Sequence, residues 1–430
     1  MSTASDQPNL PDEEAPQDKS TFASLKNRDY LYLWTGMLAS AFAMNMQLVA
    51  QGWLIYEMSS SALNLTWVTL SFMLPQVIFS LPGGVLADRL PKKPVIMWAP
   101  AGNALITVIM AVIIITDRVT FWDFIWVGFL NGTVMALSIP ARTAFIPEIV
   151  GERLIFNAMA FNTAAWNLAR ILGPALAGFM IAMFAGGDTT SVFGVGLVYF
   201  VLSALYLVSA VTVLFIGHSG EPSGERKNKP LNDVLEGLTY VINSPVVGGL
   251  ILLSIVPFLF GLSINTLLPA FNTDVLDGGA DDLGLLMTAM GVGAIAGSLT
   301  LANLGELRNK GYWLLATGSL WGVAVTLFAL SSSYPFAIIC IGLVGFISAV
   351  NMSMNRSIVQ LQVTQEMRGR IMSIDMMSHG LMPLGIVPIG WIAEEISVQA
   401  GLATSGVMLA GLTILLGVYL AKVRSIDTGY

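Results

Sequence analysis

The chain has 430 residues, 55% of them hydrophobic and only 11% charged, with a formal net charge of −7 and a mean hydropathy of +0.73. A soluble domain of this length carries about a quarter charged residues, so the composition excludes one and implies a protein that crosses the bilayer many times. The 42 glycines suit helices that approach closely in lipid, and the single cysteine, Cys340, lies in an apolar stretch that says nothing about redox compartment.

In chain order, the leader MSTASDQPNLPDEEAPQDKS has no basic start and no apolar centre, so residues 1–26 read as a disordered cytoplasmic tail and not as a signal peptide. A span needs about 20 mostly apolar residues. Twelve such segments follow, at 29–57, 65–88, 94–115, 121–142, 154–184, 192–216, 246–274, 283–304, 311–331, 335–360, 370–394 and 403–423. The one long hydrophilic break, HSGEPSGERKNKPLNDVLEG, separates the sixth from the seventh. An all-α membrane fold is therefore expected, with two pseudo-symmetric six-helix bundles over 27–216 and 246–424, a linker over 217–245 and a cytoplasmic tail over 425–430. The linker's end puts Leu231, Val234, Leu235 and Leu238 on one helical face, which predicts a short amphipathic helix on the membrane surface.

Charge sets the expected orientation. With the N-terminus cytoplasmic, 18 of the 20 lysines and arginines fall on the inside, Arg118 falls outside and Arg170 alone is left in mid-span. Both termini are then cytoplasmic. Arg142 with Arg356, Gly128 with Gly342 and Pro174 with Pro388 are each 214 residues apart, a faint internal repeat. Parallel repeats of this kind place a substrate site near the bilayer midplane, between the halves.

The strongest short motif is GGVLADRLPKKPVI, between segments two and three, with Gly84, Asp88, Arg89, Lys92 and Lys93. A glycine on the second helix permits close approach to the other half, and an aspartate at that helix's end can pair with loop cations and face a helix N-terminus. A positive-inside loop explains the basic residues but neither Gly84 nor Asp88. The motif resembles the loop signature of the major facilitator superfamily, with Pro91 where many members have glycine. The resemblance implies a gating latch that favours the outward-open state and breaks as the protein rocks inward. The matching loop of the second half, ANLGELRNKG, keeps Arg308 and Lys310 but no aspartate, so the latch is expected to be one-sided.

The longer stretch SIPARTAFIPEIVGERLIFNAMAFNTAAWNLARILGPALAG looks like the drug and siderophore exporter branch of that superfamily, which includes the enterobactin exporter and macrolide efflux proteins. QGWLIYEMSSSALNLTWV and EMRGRIMS extend the likeness over nearly the whole membrane part. Within it Gly173, Pro174 and Gly178 resemble the fifth-helix antiporter motif associated with efflux, although Ala177 stands where the fuller motif has glycine. Proline removes a backbone hydrogen bond and glycine relieves crowding, so a bend there is expected; both residues are also simply commoner in membrane helices.

Three side chains are candidates for coupling. Arg170, with Asn45, Gln47 and Gln51 on segment one at comparable depth, is either a substrate or coupling residue or a buried anchor. Asp375 and His379 are four apart on segment eleven, so they form either a proton site or a local structural pair. In this superfamily segments one, four, seven and ten line the central cavity. That resemblance makes Asn45, Gln51, Asn131, Asn162, Asn265, Asn351 and Asn355 cavity candidates, with Trp53, Trp126, Trp166 and Phe258 as amphipathic neighbours.

No GxxxxGK phosphate loop is present, so ATP is not expected to drive transport directly, and two histidines with one cysteine are too few for a redox or metal enzyme. Segment four, ending at 142, holds no mid-span arginine of the kind found in many drug antiporters of the superfamily. The expectation is a non-enzymatic exporter of a drug-like or siderophore-like amphiphile in a bacterial inner membrane. It needs no cofactor and is driven by an ion gradient, most simply of protons. Its partners are the lipid bilayer and a small-molecule substrate, with no nucleic acid, and it acts as a monomer. An uptake permease for a small organic solute, or a non-transporting sensor of the same fold, are the alternatives.

Overall fold

The computed structural model describes residues 22–151, 154–184, 192–221, 230–304, 308–364, 367, 370–372, 374–375 and 379–426, apart from the side chains of 80–88, 156, 230–234, 302, 304 and 379. The predicted tail over 1–26 lies mostly outside these residues. Every long element among them is helical. The first six helices are α1 (Arg28–Ser59), α2 (Ala62–Arg89), α3 (Lys92–Ile115), α4 (Phe121–Val150), α5 (Ile155–Phe184) and α6 (Val192–Leu214). The linker helix α7 (Pro230–Asn243) follows. The second set is α8 (Pro245–Val256), α9 (Ser263–Leu276), α10 (Ala280–Leu304), α11 (Lys310–Ala329), α12 (Tyr334–Gln362), α13 (Met382–Glu395) and α14 (Val398–Tyr419), with a last turn α15 (Ala421–Arg424).

Ten stretches among the described residues are long and apolar enough to cross a membrane. α1 is 32 residues long and is not among them. Its amides Asn45, Gln47 and Gln51 lower its hydropathy because they face the protein interior. The eleventh predicted span, 370–394, falls partly outside the described residues; its later part is α13.

Helix pairing repeats between the halves. In the first, α2 packs on α4 and α3 on α6; in the second, α10 packs on α12 and α11 on α14. These are the second-with-fourth and third-with-sixth pairs of each set, so the 214-residue offset has a packing counterpart. Gly128 of α4 abuts Ser71 of α2, and Gly342 of α12 faces Ala289 of α10.

The two ends of the molecule are told apart by their contacts. At one, the terminal face, Asp29 accepts from the amides of Gly217 and His218 at 3.0 and 3.1 Å, and Asn27 donates to the Ile149 carbonyl at 2.9 Å. Gly311 at the start of α11 abuts Val423 near the chain end. The opposite, far face carries the α1–α2 and α9–α10 turns.

Two segments differ from the sequence reading. Segment four does not end at 142, since α4 continues to Val150. Phe145, Ile146 and Val150 are buried there against Tyr30, Leu33, Ile96 and Ile216, so tertiary burial prolongs the helix beyond the expected span. Segment seven is not continuous: a π-helical turn, Pro257–Gly261, separates α8 from α9. Pro257 has no N–H to give to the preceding turn, which frees the ladder to rearrange. Gly385 of α13 fits against the Leu259 carbonyl there, and Ser263 and Ser405 share a 2.5 Å hydrogen bond.

The linker helix forms as expected. Leu235, Leu238 and Ile242 lie exposed along one side of α7. On the other side Gly237 is buried against Arg370 and Ile374, and Glu236 pairs with Arg370 at 2.6 Å.

Candidate functional site

A cavity of about 470 Å³ lies between the two sets of helices. α1, α4, the α8–α9 unit and α12 line it as the resemblance implies, and α2, α3, α5 and α10 contribute as well. The α4 residues facing it are Gly128, Asn131, Met135, Ser138, Ile139 and Arg142. Steps of three and four keep these on one helical face, and the stripe continues to Arg142 without a break.

Arg142 corrects the reading of segment four. It stands eight residues before the end of α4, about 12 Å along the axis at 1.5 Å per residue. It lines the cavity beside the Tyr206 phenol, and its Nε is buried with no hydrogen-bond partner among the described residues. Hydropathy places it at the cytoplasmic close of segment four, because the apolar window ends at that position. The signal available in the sequence was the cavity stripe itself, which runs past the apolar window.

Arg170 also lines the cavity, 15 residues into α5. An arginine facing lipid at mid-span costs about 2.5–3.5 kcal/mol, and the cavity removes that cost. No hydrogen bond or ion pair among the described residues joins it to Asn45, Gln47 or Gln51. Those amides bond within α1: Asn45 Nδ2 to the Ala41 carbonyl at 2.8 Å, and Gln47 Nε2 to Gln51 Oε1 at 3.3 Å.

The predicted cavity residues divide. Asn45, Gln51, Asn131, Trp166 and Asn265 line the cavity. Trp53 does not; it is 1% exposed in the main apolar core. Trp126 is 62% exposed and off the cavity, so it faces the surroundings of the bundle. Phe258 is buried in the π turn, away from the cavity lining. Asn351 and Asn355 are interhelical fasteners, donating to the Leu314 carbonyl and Thr317 Oγ1 at 2.9 and 3.0 Å, and to the Leu250 carbonyl at 3.3 Å. Asn162 is likewise outside the lining. Trp321, which the sequence reading did not select, borders the cavity with a buried, unpartnered Nε1.

The halves are joined mainly toward the far face. Tyr56 donates its hydroxyl to Asp274, and Ser61 Oγ and the Leu63 amide donate to Glu394 Oε2 at 3.0 and 3.2 Å. Deeper in, Thr288 Oγ1 donates to the Ile171 carbonyl at 3.0 Å. These hydrogen bonds join the first six helices to the second set among the described residues. α5 and α10 are in close contact over three turns. A Cβ on Gly178 would lie 2.5 Å from the Ala280 carbonyl oxygen, and one on Gly284 2.6 Å from that of Pro174. The predicted bend motif thus acts in packing: α5 runs as one helix, with Gly173 set against Asn45 of α1 and Gly178 against α10.

The latch residues fall only partly among the described side chains. Gly84 and Asp88 are in the last turns of α2, where side chains lie outside the described residues; Arg89 is exposed at the helix end. Lys92 is fully buried, paired with Glu148 Oε1 of α4 at 2.7 Å and donating to the Glu221 carbonyl at 2.8 Å. Lys93 donates to the Ile216 carbonyl at 2.6 Å. Both lysines thus tie the α2–α3 turn to α4 and the exit of α6. Asp375, 2% exposed, accepts from Ser254 Oγ at 2.5 Å and does not line the cavity. The side chain of His379 lies outside the described residues.

The family described as transmembrane secretion effector matches residues 19–429. The chain belongs to the major facilitator superfamily, in that family. It is 26% identical over 410 residues to the multidrug efflux pump Tap of Mycolicibacterium fortuitum, covering 92% of this chain and 96% of the relative. It is 23% identical over 367 residues to the staphyloferrin A transporter of Staphylococcus aureus, covering 85% and 90%. The enterobactin exporter EntS of Shigella boydii is 25% identical over 343 residues, covering 80% of each chain. Among solved structures, the nucleoside transporter NupG superposes with a TM-score of 0.71 at 14% identity, over 93% of this chain and 100% of that one. A bacterial homolog of the lysosomal transporter Spinster, inward-facing and occupied, gives 0.69 at 12% identity, over 93% and 96%. The protein is thus a multi-pass membrane transporter that handles a small molecule, not an enzyme.

Proposed function

We propose that this transporter is a proton-coupled exporter of a drug-like or siderophore-like amphiphile, working by alternating access. The observation that carries the proposal is the cavity walled by both halves, with the hydrogen bonds between them, among the described residues, gathered toward the far face. The positive-inside count supports a cytoplasmic terminal face, and on that reading the far face, where the halves meet, is the outer one. Relatives named as an efflux pump and an exporter support the outward direction. The lining mixes apolar, thioether and amide side chains, such as Phe72, Met135, Met290, Asn131 and Asn265, which suits an adaptable amphiphile site. Asp375, with the nearby His379 in sequence, is the proton-carrying candidate.

Energised inside-out vesicles test direction and coupling together. The transporter should accumulate an amphiphilic dye inside such vesicles, and dye addition should release protons from them. Accumulation in right-side-out vesicles instead would overturn export. Intact proton release in Asp375→Asn would overturn that residue's role.

A further inference from the structure

Arg142 and Arg170 both line the cavity, and no aspartate or glutamate lines it among the described residues. The wall thus carries two positive charges in a chain whose net charge is −7. Nearby carboxylates at the terminal face are committed elsewhere, Glu148 to Lys92 and Asp29 to the amides of Gly217 and His218. In the second half Asp375 accepts from Ser254.

The arginines are staggered in depth. Arg142 is about 12 Å from its helix end and Arg170 about 22 Å from the start of α5, by 1.5 Å per residue. The short turn between α4 and α5 puts those helix ends at one level. The two cations therefore form a ladder, one rung about 10 Å below the other. Buried polar atoms in native proteins are nearly always hydrogen-bonded. Arg142 Nε, Asn103 Oδ1 and Asn131 Oδ1 all border the cavity, buried and unpartnered. Turning an asparagine amide exchanges its oxygen for an NH₂ donor, so the same positions can also donate to an anion.

We propose that this wall is an oxyanion subsite, and that the transported compound carries an acidic group, a carboxylate or a catecholate, which Arg142 receives and Arg170 passes inward. The proposal rests on the transporter reading and specifies its substrate class. A guanidinium offers a carboxylate two parallel N–H donors, which an ammonium does not. Cationic amphiphiles meet two like charges and no counter-charge.

The probes are dansylglycine, a carboxylate dye, and its uncharged methyl ester, bound to purified protein in nanodiscs and read by fluorescence polarisation. Wild type should bind the acid at least ten-fold more tightly than the ester. Arg142→Gln should erase that preference, and a thermal unfolding curve like that of wild type, read by tryptophan fluorescence, shows that the variant is folded. Arg142→Lys should restore only part of it. Asn103→Asp, which adds a carboxylate to the wall with both arginines intact, should reduce it as well. Equal binding of acid and ester by wild type, or an acid preference that survives Arg142→Gln, would overturn the subsite. Ester transport by wild-type proteoliposomes in that case would leave the transporter reading standing. Absence of transport for both dyes would count against both.

Discussion

Replacing Gly178 by alanine strikes the contact that keeps the far face shut. A Cβ there would stand 2.5 Å from the Ala280 carbonyl oxygen and 2.8 Å from the Asp281 Cα. Both are backbone atoms, so no flexible side chain can yield and α5 and α10 must separate. Overpacking of this kind costs about 1–3 kcal/mol, which as a bias between two conformers is about 5–150-fold. The cost falls on the far-face-closed conformer, since opening that face parts the same two helices. Spin labels on Ser60→Cys and Ser397→Cys, in a Cys340→Ser background, report the far-face separation by pulsed electron resonance. Gly178→Ala should move population from the short to the long distance. Gly102→Ala is the control, because a Cβ on Gly102 meets nothing within 4 Å. An unchanged distribution in Gly178→Ala, or an equal shift in Gly102→Ala, would refute the assignment of closure to this contact.

Tyr56→Phe removes a donor to the Asp274 carboxylate, worth about 1.5–3 kcal/mol for a bond to a charged group. Maleimide labelling of Ser60→Cys should quicken at least ten-fold in that background, and an unchanged rate would count against the far-face bond. Glu148→Gln removes the carboxylate that pairs with the fully buried Lys92 at 2.7 Å. The half-exposed position of Glu148 holds the expected loss to about 2 kcal/mol, seen as earlier thermal unfolding by tryptophan fluorescence; an unshifted curve would contradict the pairing. Trp166→Ala should weaken dye binding roughly ten-fold by removing an aromatic wall, whereas Trp126→Ala, off the cavity, should leave it unchanged. The reverse order would reject the cavity as drawn.

The helices themselves were readable because lipid demands long apolar runs, and charge asymmetry ordered their ends. What escaped were features that tertiary contacts decide. Hydropathy ended segment four at Arg142, yet the helix continues because Phe145, Ile146 and Val150 find buried partners in α1, α3 and the exit of α6. That boundary hid one of the two arginines of the cavity wall. Trp53 and Trp126 look alike in sequence, since a membrane helix that is apolar all round gives no periodic sign of which face meets lipid and which meets protein. Asn351 and Asn131 pose the same problem for amides: one fastens α12 to α11, the other faces the cavity. Lys92 belongs to a latch motif in sequence, and its pairing with Glu148, 56 residues later, is not legible there. Gly178 reads in the sequence as part of a bend and packing surface, but its close partner Ala280 belongs to the other half of the chain and is not legible there.

The most direct measurement of alternating access is dye transport by proteoliposomes in which the far face can be locked. Ser61 and Glu394, which are hydrogen-bonded at 3.0 Å, are changed to cysteine in the Cys340→Ser background and joined by a short reducible bis-thiol reagent. Transport should stop on cross-linking and return on reduction, while dye binding from the terminal face persists. Undiminished transport with the far face locked would contradict the mechanism.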